Sequence, residues 1–175
     1  GDVFAITVGN LIKRKNQITL IEAVNRRDNP HFHLFICGDG KCYEELKKAA
    51  SDLGVSSQIH FLGFRRDVEK LCGAADIFLF ASVQEGLPVS VMEAMACGLP
   101  IVASKIRGNS DLIDSGKGGY LVRPTDADGF SKDIVSVIKN RKKTESMENY
   151  NFEKIKEYSK EKVMNQMAEL YESLM

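Results

Sequence analysis

Two carboxylates and a run of three cations are the side chains of this sequence whose types and spacing could do chemistry. Glu85 and Glu93 lie eight positions apart, with a glycine, a proline and a short apolar run between them. A carboxylate is costly to bury without a partner, so two acids in a half-buried segment need an explanation. The cations are Lys13, Arg14 and Lys15, in a chain whose 24 Lys and Arg balance 24 Asp and Glu. Any anion site must therefore be local, and no global positive field favours nucleic acid.

The two acids flank the start of a predicted helix. Pro88 suits the first helical position, because its missing N–H group would be unpaired there anyway. The N–H groups of Val89 and Ser90 then point out of the helix start, where free amides and the helix dipole bind anions such as a diphosphate. Glu85 would face a group on the distal phosphate, and Glu93 could hold hydroxyl groups, as an acid in dinucleotide-binding folds holds ribose. The spacing alone is equally compatible with two ordinary exposed glutamates.

The cations lie in the loop 9–17, which begins with Gly9 and follows the first predicted strand. Three cations at the carboxyl end of a strand favour an anion site. A solvated run of charge before a helix is the alternative. Because this loop and the loop 82–89 would lie on the same edge of a parallel sheet, we favour the anion site.

Short apolar runs alternate with amphipathic ones along most of the chain. Strands that are apolar on both faces and alternate with helices indicate a parallel sheet covered on both sides. We therefore predict an α/β, doubly wound, Rossmann-like sheet of about six strands, with ligands bound at the carboxyl ends. The predicted strands are 3–9, 31–38, 58–63, 76–82, 100–104 and 118–122, and the predicted helices are 16–27, 43–54, 66–74, 89–98 and 126–140.

The composition changes after residue 140. We predict one Rossmann-like domain over residues 1–140, followed over 141–175 by a polar linker and a long C-terminal helix that starts at residue 152. Apolar residues at helical spacing in that helix require a partner surface. They are Val163, Met167, Leu170 and Leu174.

Several other site types find little support in the sequence. The stretch CGDGKC, residues 37–42, departs from G-x-G-x-x-G because Tyr43 takes the place of the third glycine, and it also departs from the P-loop pattern. We interpret it as a tight turn that leaves room for a ligand. His31 and His33 have no third metal ligand in sight, so we expect no metal site. The cysteines form no C-x-x-C pair, which favours reduced thiols and a cytoplasmic protein. They are Cys37, Cys42, Cys72 and Cys97.

Taken together, these motifs resemble the C-terminal, donor-binding domain of the group 1, or family-four, retaining glycosyltransferases. That family has the two-Rossmann-domain (GT-B) fold. The resemblance covers nearly the whole chain, in order, and Glu85 and Glu93 match the family's E-x7-E motif. It rests on the blocks VGNLIKRKN, FICGDGKCYEEL, IHFLGFRRDV, AADIFLFASVQEGLPVSVMEAMACGLPIVAS and GGYLVRPTD.

The resemblance implies a role for individual residues. Glu85 and Lys15 would be catalytic: Glu85 holds the donor sugar together with the backbone of Gly86 and Leu87, and Lys15 neutralises the leaving diphosphate. Glu93 would bind the ribose hydroxyls. The complete implied nucleotide-sugar site is Gly9, Asn10, Arg14, Lys15, Gly38, Phe64, Glu85, Gly86, Leu87, Val89, Ser90 and Glu93, with Phe64 near the base.

Two residues depart from the family pattern. Asn10 stands where the family usually has arginine, so Arg14 or Lys13 would have to supply the charge. Pro88 stands where a glycine is common, so that position cannot donate an N–H group to a phosphate.

The resemblance also implies what the whole protein does. It would transfer a sugar, with retention of configuration, from a nucleotide donor to a glycan or lipid-linked acceptor in polysaccharide biosynthesis. A UDP-sugar is the favoured donor, and no cofactor, metal or nucleic acid is expected. The N-terminal acceptor domain is missing from this sequence, so we expect the isolated chain to bind its donor without turnover. The protein would be cytoplasmic, with the acceptor domain as the route to any peripheral association with the inner membrane face.

Other classes on the same fold remain open. They are a nucleotide-sugar epimerase, a glycosyl phosphorylase, a dinucleotide-dependent oxidoreductase and a non-catalytic nucleotide-binding module. A phosphorylase would need a cofactor lysine motif, and the oxidoreductase would need the glycine fingerprint that CGDGKC lacks.

Overall fold

The computed structural model describes residues 1–27 and 29–173, and its centre is a six-stranded parallel sheet. The strands lie in the order β3-β2-β1-β4-β5-β6, and each neighbouring pair is parallel. The predicted α/β, doubly wound sheet is therefore confirmed. The strands are β1 Val3–Val8, β2 Phe32–Cys37, β3 Ile59–Gly63, β4 Ile77–Phe80, β5 Ile101–Ser104 and β6 Gly119–Val122.

Eight α-helices accompany this sheet in the described part of the chain. Their bounds are α1 Gln17–Asn25, α2 Tyr43–Asp52, α3 Val68–Gly73, α4 Val89–Ala96, α5 Arg107–Leu112, α6 Ala127–Ile138, α7 Arg141–Ile155 and α8 Lys160–Ser173. None of the described helices is both long and apolar enough to cross a bilayer.

The core has two layers because successive side chains of a strand point to opposite faces. In β1, Ala5 packs in a cluster with residues of α1, α2 and α6, and Ile6 packs in a second cluster with residues of α3, α4 and α5. Both side chains are almost fully buried. Apolar residues on both faces of the strand therefore produce helices on both faces of the sheet.

Two predicted helix ends are confirmed. The side chain of Asp126 accepts a hydrogen bond from the N–H of Gly129 at 2.8 Å and so caps α6. Gly54 follows α2 with a φ of +72°, a left-handed conformation that favours glycine after a helix.

The predicted linker after residue 140 is wrong, because residues 141–155 form helix α7. This helix looks like a linker in sequence because most of its surface is charged, but it buries Met147 and Asn151. The Nδ2 group of Asn151 donates hydrogen bonds of 2.7 Å to the carbonyls of Leu99 and of Gly118, which fixes α7 to the sheet. A few buried side chains are enough to hold an otherwise polar helix.

The long C-terminal helix is confirmed, but it starts later than predicted. A 3₁₀ turn at Lys156–Tyr158 separates α7 from α8, which begins at Lys160. Helix α8 exposes the predicted stripe, Val163, Met167 and Leu170. The fourth predicted member, Leu174, lies outside the described residues.

Candidate active site

The strand order reverses between β1 and β4, and this reversal determines where a ligand can bind. From β1 the chain proceeds through β2 to β3 on one side, whereas β4, β5 and β6 follow on the other. The loops that leave the carboxyl ends of β1 and β4 therefore diverge and leave a crevice, which is the usual ligand site of an open α/β sheet.

A cavity of about 330 Å³ occupies this crevice. It is lined by Val8, Gly9, Asn10, Lys15, Glu85, Leu87, Pro88, Val89 and Ser90. A larger cavity of about 420 Å³ lies at the opposite, amino end of β1, next to Val3 and Asp76. Ligands of this fold class bind at the carboxyl ends, so the smaller cavity is the candidate site.

Lys15 and Glu85 form an ion pair across the cavity. The Lys15 Nζ atom lies 2.8 Å from Glu85 Oε1, and the two side chains are only 15% and 11% exposed. The ammonium group also lies 5.0 Å from the centre of the Phe80 ring, at the end of β4. The pair joins the loop after β1 to the loop after β4, so it holds a cation and a carboxylate in fixed positions at one site.

The backbone after β1 places Lys15. A 3₁₀ turn spans Lys13–Lys15, and Asn16 follows in a left-handed conformation with φ +54°. The Asn16 Nδ2 group donates to the carbonyls of Ala81, at 3.1 Å, and Pro124, at 2.8 Å. In addition, the N–H of Val83 donates to the Arg14 carbonyl at 2.9 Å. The cationic loop is thus fastened directly to the segment that carries Glu85.

The environment of Glu85 favours its charged form. Partial burial raises the pKa of the Glu85 carboxyl, but hydrogen bonds from Lys15 and Ser82, together with the positive charges of Lys15 and Arg14, outweigh it and lower the pKa below 4.5. The Ser82 hydroxyl donates to Glu85 Oε1 at 2.6 Å. Glu85 is therefore an oriented carboxylate at neutral pH.

Helix α4 begins at Val89, so the prediction that Pro88 is its first helical residue is wrong by one position. Pro88 is the N-cap residue, and its carbonyl accepts the N–H group of Val91 at 3.1 Å. The N–H groups of Val89 and Ser90 come before this first bonded amide, and both residues line the cavity. The helix start therefore directs its dipole and two amides toward the site.

Glu93 lies on the second turn of α4, exposed and outside the cavity lining. Partial loss of hydration of the carboxyl and, after it, repulsion from Glu69 raise the pKa of Glu93. The two acids of the E-x7-E motif thus have opposite surroundings, since Glu85 has a cationic partner and Glu93 faces another acid.

The structure brings seven of the twelve predicted site residues together in one cavity and places five outside its lining. The seven are Gly9, Asn10, Lys15, Glu85, Leu87, Val89 and Ser90. The five are Arg14, Gly38, Phe64, Gly86 and Glu93.

Two of the outlying residues have structural surroundings of their own. A Cβ atom on Gly38 would lie 2.1 Å from the carbonyl oxygen of Gly9, so the backbone of the loop after β1 packs directly against this glycine. Phe64 is 69% exposed, and its N–H donates to Asp39 Oδ2 at 3.1 Å. Its ring is thus held on an ordered loop and open to solvent.

Three buried polar residues near Glu85 were not among the predicted site residues. Ser82 is fully buried two residues after β4, Ser104 ends the neighbouring strand β5, and Asn109 lies on α5, where no helix was predicted. One signal was available: two serines that end neighbouring parallel strands lie at the same edge of the sheet. The role of Asn109 depends on tertiary packing that the sequence pattern does not show.

The arrangement is suited to an anionic ligand that also carries hydroxyl groups. An ammonium group and two helix-start amides can neutralise phosphate oxygens. A fixed carboxylate beside them can accept hydrogen bonds from hydroxyl groups or stabilise a neighbouring positive charge.

The chain is similar in sequence to known glycosyltransferases. The lipopolysaccharide core biosynthesis glycosyltransferase LpsE of Rhizobium meliloti is 35% identical over 133 residues, which are 76% of this chain and 38% of that protein. The Escherichia coli UDP-Gal:alpha-D-GlcNAc-diphosphoundecaprenol alpha-1,3-galactosyltransferase is 31% identical over 77% of this chain and 36% of its own length. The chain thus spans about two fifths of these relatives.

Solved structures show the same fold. The structure of Anabaena Alr3699/HepE in complex with UDP and glucose superposes with a TM-score of 0.91, at 26% identity over 99% of this chain and 49% of that one. The family model for glycosyl transferases group 1 matches residues 1–154. The chain therefore belongs to the group 1 glycosyltransferases, and its fold is that of a GT-B domain.

Proposed function

We propose that the cavity between β1 and α4 binds the donor nucleotide-sugar of a retaining glycosyltransferase, with a UDP-sugar as the donor. The observation that carries the proposal is the Lys15–Glu85 pair, with Nζ and Oε1 2.8 Å apart, at the start of α4. The similar Anabaena protein was crystallised with UDP and glucose, which supports a donor of this class.

Lys15 and the amides of Val89 and Ser90 receive the diphosphate in this proposal. When the bond between the sugar's anomeric carbon and the diphosphate oxygen breaks, the electron pair leaves with the diphosphate. Preorganised positive charge stabilises that developing negative charge without reorganisation at the moment of reaction. Lys15 has three N–H donors, so it can keep one bond to Glu85 while it binds phosphate oxygens.

Glu85 acts on the sugar. Its carboxylate stays ionised because the lowered pKa lies well below neutral pH. It accepts hydrogen bonds from the sugar's hydroxyl groups and stabilises the oxocarbenium character of the transition state. Gly86 and Leu87 follow it directly in the chain and offer backbone groups to the same sugar.

The remaining predicted residues fit the nucleoside end of the donor. Glu93 is one turn along α4 from the phosphate position, and its exposed carboxylate is available to the ribose hydroxyls. Phe64 offers an exposed ring that could stack on a base. Both residues lie outside the cavity lining, which suits a ligand that extends from the sugar across the helix start.

The two departures from the family pattern weaken the phosphate site without removing it. Asn10 lines the cavity where an arginine is usual, and Arg14 is exposed and does not line it. Lys15 therefore supplies the positive charge of the cavity wall. Because Pro88 has no N–H group, the amides of Val89 and Ser90 are the helix-start donors that bind the phosphate oxygens.

The whole protein, in this proposal, transfers the sugar to a glycan or lipid-linked acceptor in polysaccharide biosynthesis. The similar Rhizobium and Escherichia coli proteins are named for lipopolysaccharide core biosynthesis and for transfer to a diphosphoundecaprenol acceptor. An acceptor domain outside this sequence would close the cleft at the carboxyl edge of the sheet. Such a protein would work in the cytoplasm, at the inner membrane face when its acceptor is a lipid.

A thermal-shift panel of UDP, GDP, ADP and NAD on the 175-residue chain tests the donor class. A ligand that binds only the folded state raises the melting temperature, and at equal concentrations the ligand of higher affinity raises it more. We expect UDP to give the largest rise. Stabilisation by NAD alone would contradict the proposed function.

A further inference from the structure

A chain of buried hydrogen bonds leads from helix α5 to the carboxylate of Glu85. The Nδ2 group of Asn109 donates to Ser104, to its carbonyl at 2.7 Å and to its hydroxyl at 3.1 Å. The Ser104 hydroxyl donates to the backbone carbonyl of Ser82, and the Ser82 hydroxyl donates to Glu85 Oε1 at 2.6 Å. Asn109, Ser104 and Ser82 are each 0% exposed.

A second contact joins α5 to the same loop. A Cβ atom on Gly108 would lie 2.3 Å from the carbonyl oxygen of Gly86 and 2.9 Å from that of Glu85. The backbone of α5 therefore packs directly against the Glu85 loop. The helix supports the loop in two ways, by hydrogen bonds through the serines and by backbone contact at Gly108.

Asn109 occupies its buried position at a cost. Its Oδ1 atom has no hydrogen-bond partner among residues 1–27 and 29–173. A buried polar atom without a partner is unfavourable, and an apolar side chain of similar size would avoid that cost. The asparagine compensates for that cost by donating two hydrogen bonds from Nδ2, which an apolar residue could not do.

We propose that Asn109 and Ser104 are positioning residues that act through Ser82 to fix the orientation of the Glu85 carboxylate. The part of this proposal that concerns the sugar rests on the proposed function, because Glu85 is there the group that contacts the sugar. A glutamate side chain has several rotatable bonds, and small displacements of a catalytic group are costly in rate. Hydrogen bonds from rigid strand ends keep it in one orientation.

The test is a carboxyl-carbon NMR titration of Glu85 in the ligand-free chain. Lys15 and Arg14 are the charged groups that act on this carboxyl, and neither is changed in the variants. Ser104→Ala removes the donor to the Ser82 carbonyl, so the segment that carries the Ser82 hydroxyl loses one of the contacts that position it. We expect the pKa of Glu85 to rise toward its ordinary value, as it should also rise in Ser82→Ala.

Ser136→Ala is the matched control. It also removes one hydrogen-bonded serine hydroxyl, here one that contacts the Tyr120 hydroxyl at 3.1 Å, but it lies on α6 and away from the site. It should leave the Glu85 titration unchanged. Asn109→Ser replaces Ser104→Ala as the deciding variant if the latter does not fold. An unchanged Glu85 titration in the folded variant, with a change in melting temperature alone, would show a merely structural network and overturn the proposal.

UDP titrations of the same proteins separate the two proposals. We expect Ser104→Ala to bind UDP within about twofold of the unchanged chain, because Lys15 keeps its charge and the amides of Val89 and Ser90 are not altered in this variant. A tenfold loss of UDP affinity in Ser104→Ala would show that the hydrogen-bond network also positions the phosphate site, and it would overturn the proposal that the network acts on Glu85. If the unchanged chain fails to bind UDP, GDP and ADP, the proposed function fails, while the ligand-free titration still decides the positioning of Glu85.

Discussion

Lys15 and Glu85 depend on each other for position and for charge. The carboxylate holds the ammonium group over the cavity, and the ammonium group keeps the carboxylate ionised in a largely buried position. Breaking such a pair by removing one partner leaves the other charge poorly solvated. The pair is therefore sensitive to single substitutions for reasons of both stability and binding.

Lys15→Ala should weaken UDP binding by about tenfold or more, because a charge-assisted hydrogen bond to phosphate is lost. The free energy of unfolding should fall by roughly 1–3 kcal/mol, because Glu85 is left without its cationic partner. The double variant Lys15→Ala/Glu85→Ala should regain part of that stability but none of the affinity. Calorimetric titration and urea denaturation measure the two effects. Equal UDP affinity in Lys15→Ala and the unchanged chain would remove Lys15 from the phosphate site.

Acid should remove the stability that Glu85 contributes. The pKa of Glu85 is lowered in the folded state, so its contribution is fully present above the ordinary value of 4.5 and is lost as the pH falls through the lowered pKa. The difference in unfolding free energy between the unchanged chain and Glu85→Gln should therefore shrink between pH 6 and pH 3, values chosen to bracket the ordinary carboxyl range of about 4. A difference that stays constant over this range would mean that Glu85 titrates normally.

Glu93→Gln should have effects of opposite sign on stability and on binding. The pKa of Glu93 is raised in the folded state, so the charged form destabilises the fold above that pKa. Removing the charge should raise the melting temperature slightly, by about 1 °C at pH 7. The same change should weaken UDP binding, because the carboxylate that accepts the ribose hydroxyls is lost. A variant with lower stability and unchanged affinity would contradict both assignments.

At the residue scale, the sequence was sufficient to predict which residues meet at one edge of the sheet, when those residues follow a strand or begin a helix. Lys15, Glu85, Val89 and Ser90 follow strands or begin a helix, and parallel strands bring such positions to one edge. Asn109 could not be found in this way, because its hydrogen bonds depend on how α5 packs against β5.

At the scale of elements, helix α7 shows how a polar segment is held on the domain. Asn151→Ala should lower the free energy of unfolding by about 2 kcal/mol, because the buried carbonyls of Leu99 and Gly118 each lose a donor. Asn165→Ala, on the exposed face of α8, is the matched control and should change stability little. Urea denaturation measures both variants. Equal stability of the two would show that α7 is not fixed through Asn151.

The strands were predictable and some helices were not, for a physical reason. All six strands consist mostly of apolar residues, so each stands out as a short apolar run. Helix α5 has only six residues, and α7 buries two side chains on a charged surface. Hydrophobic periodicity is too weak in such segments to separate a helix from a loop.

At the scale of the whole molecule, the sheet edge that carries the site and the stripe of α8 both lack a covering surface within the described residues. The exposed side chains of Val163, Met167 and Leu170 form that stripe. The chain spans about half of the Anabaena protein that it resembles in fold.

Binding of a nucleoside diphosphate in the cavity at Lys15 and Glu85 is decided by calorimetric titration of UDP into the 175-residue chain, the Lys15→Ala variant and the Ser136→Ala control. We expect saturable binding with one site in the unchanged chain and in the control, and a loss of about tenfold or more in Lys15→Ala. No binding of UDP, GDP or ADP to the folded chain, or equal affinity in all three proteins, would contradict it.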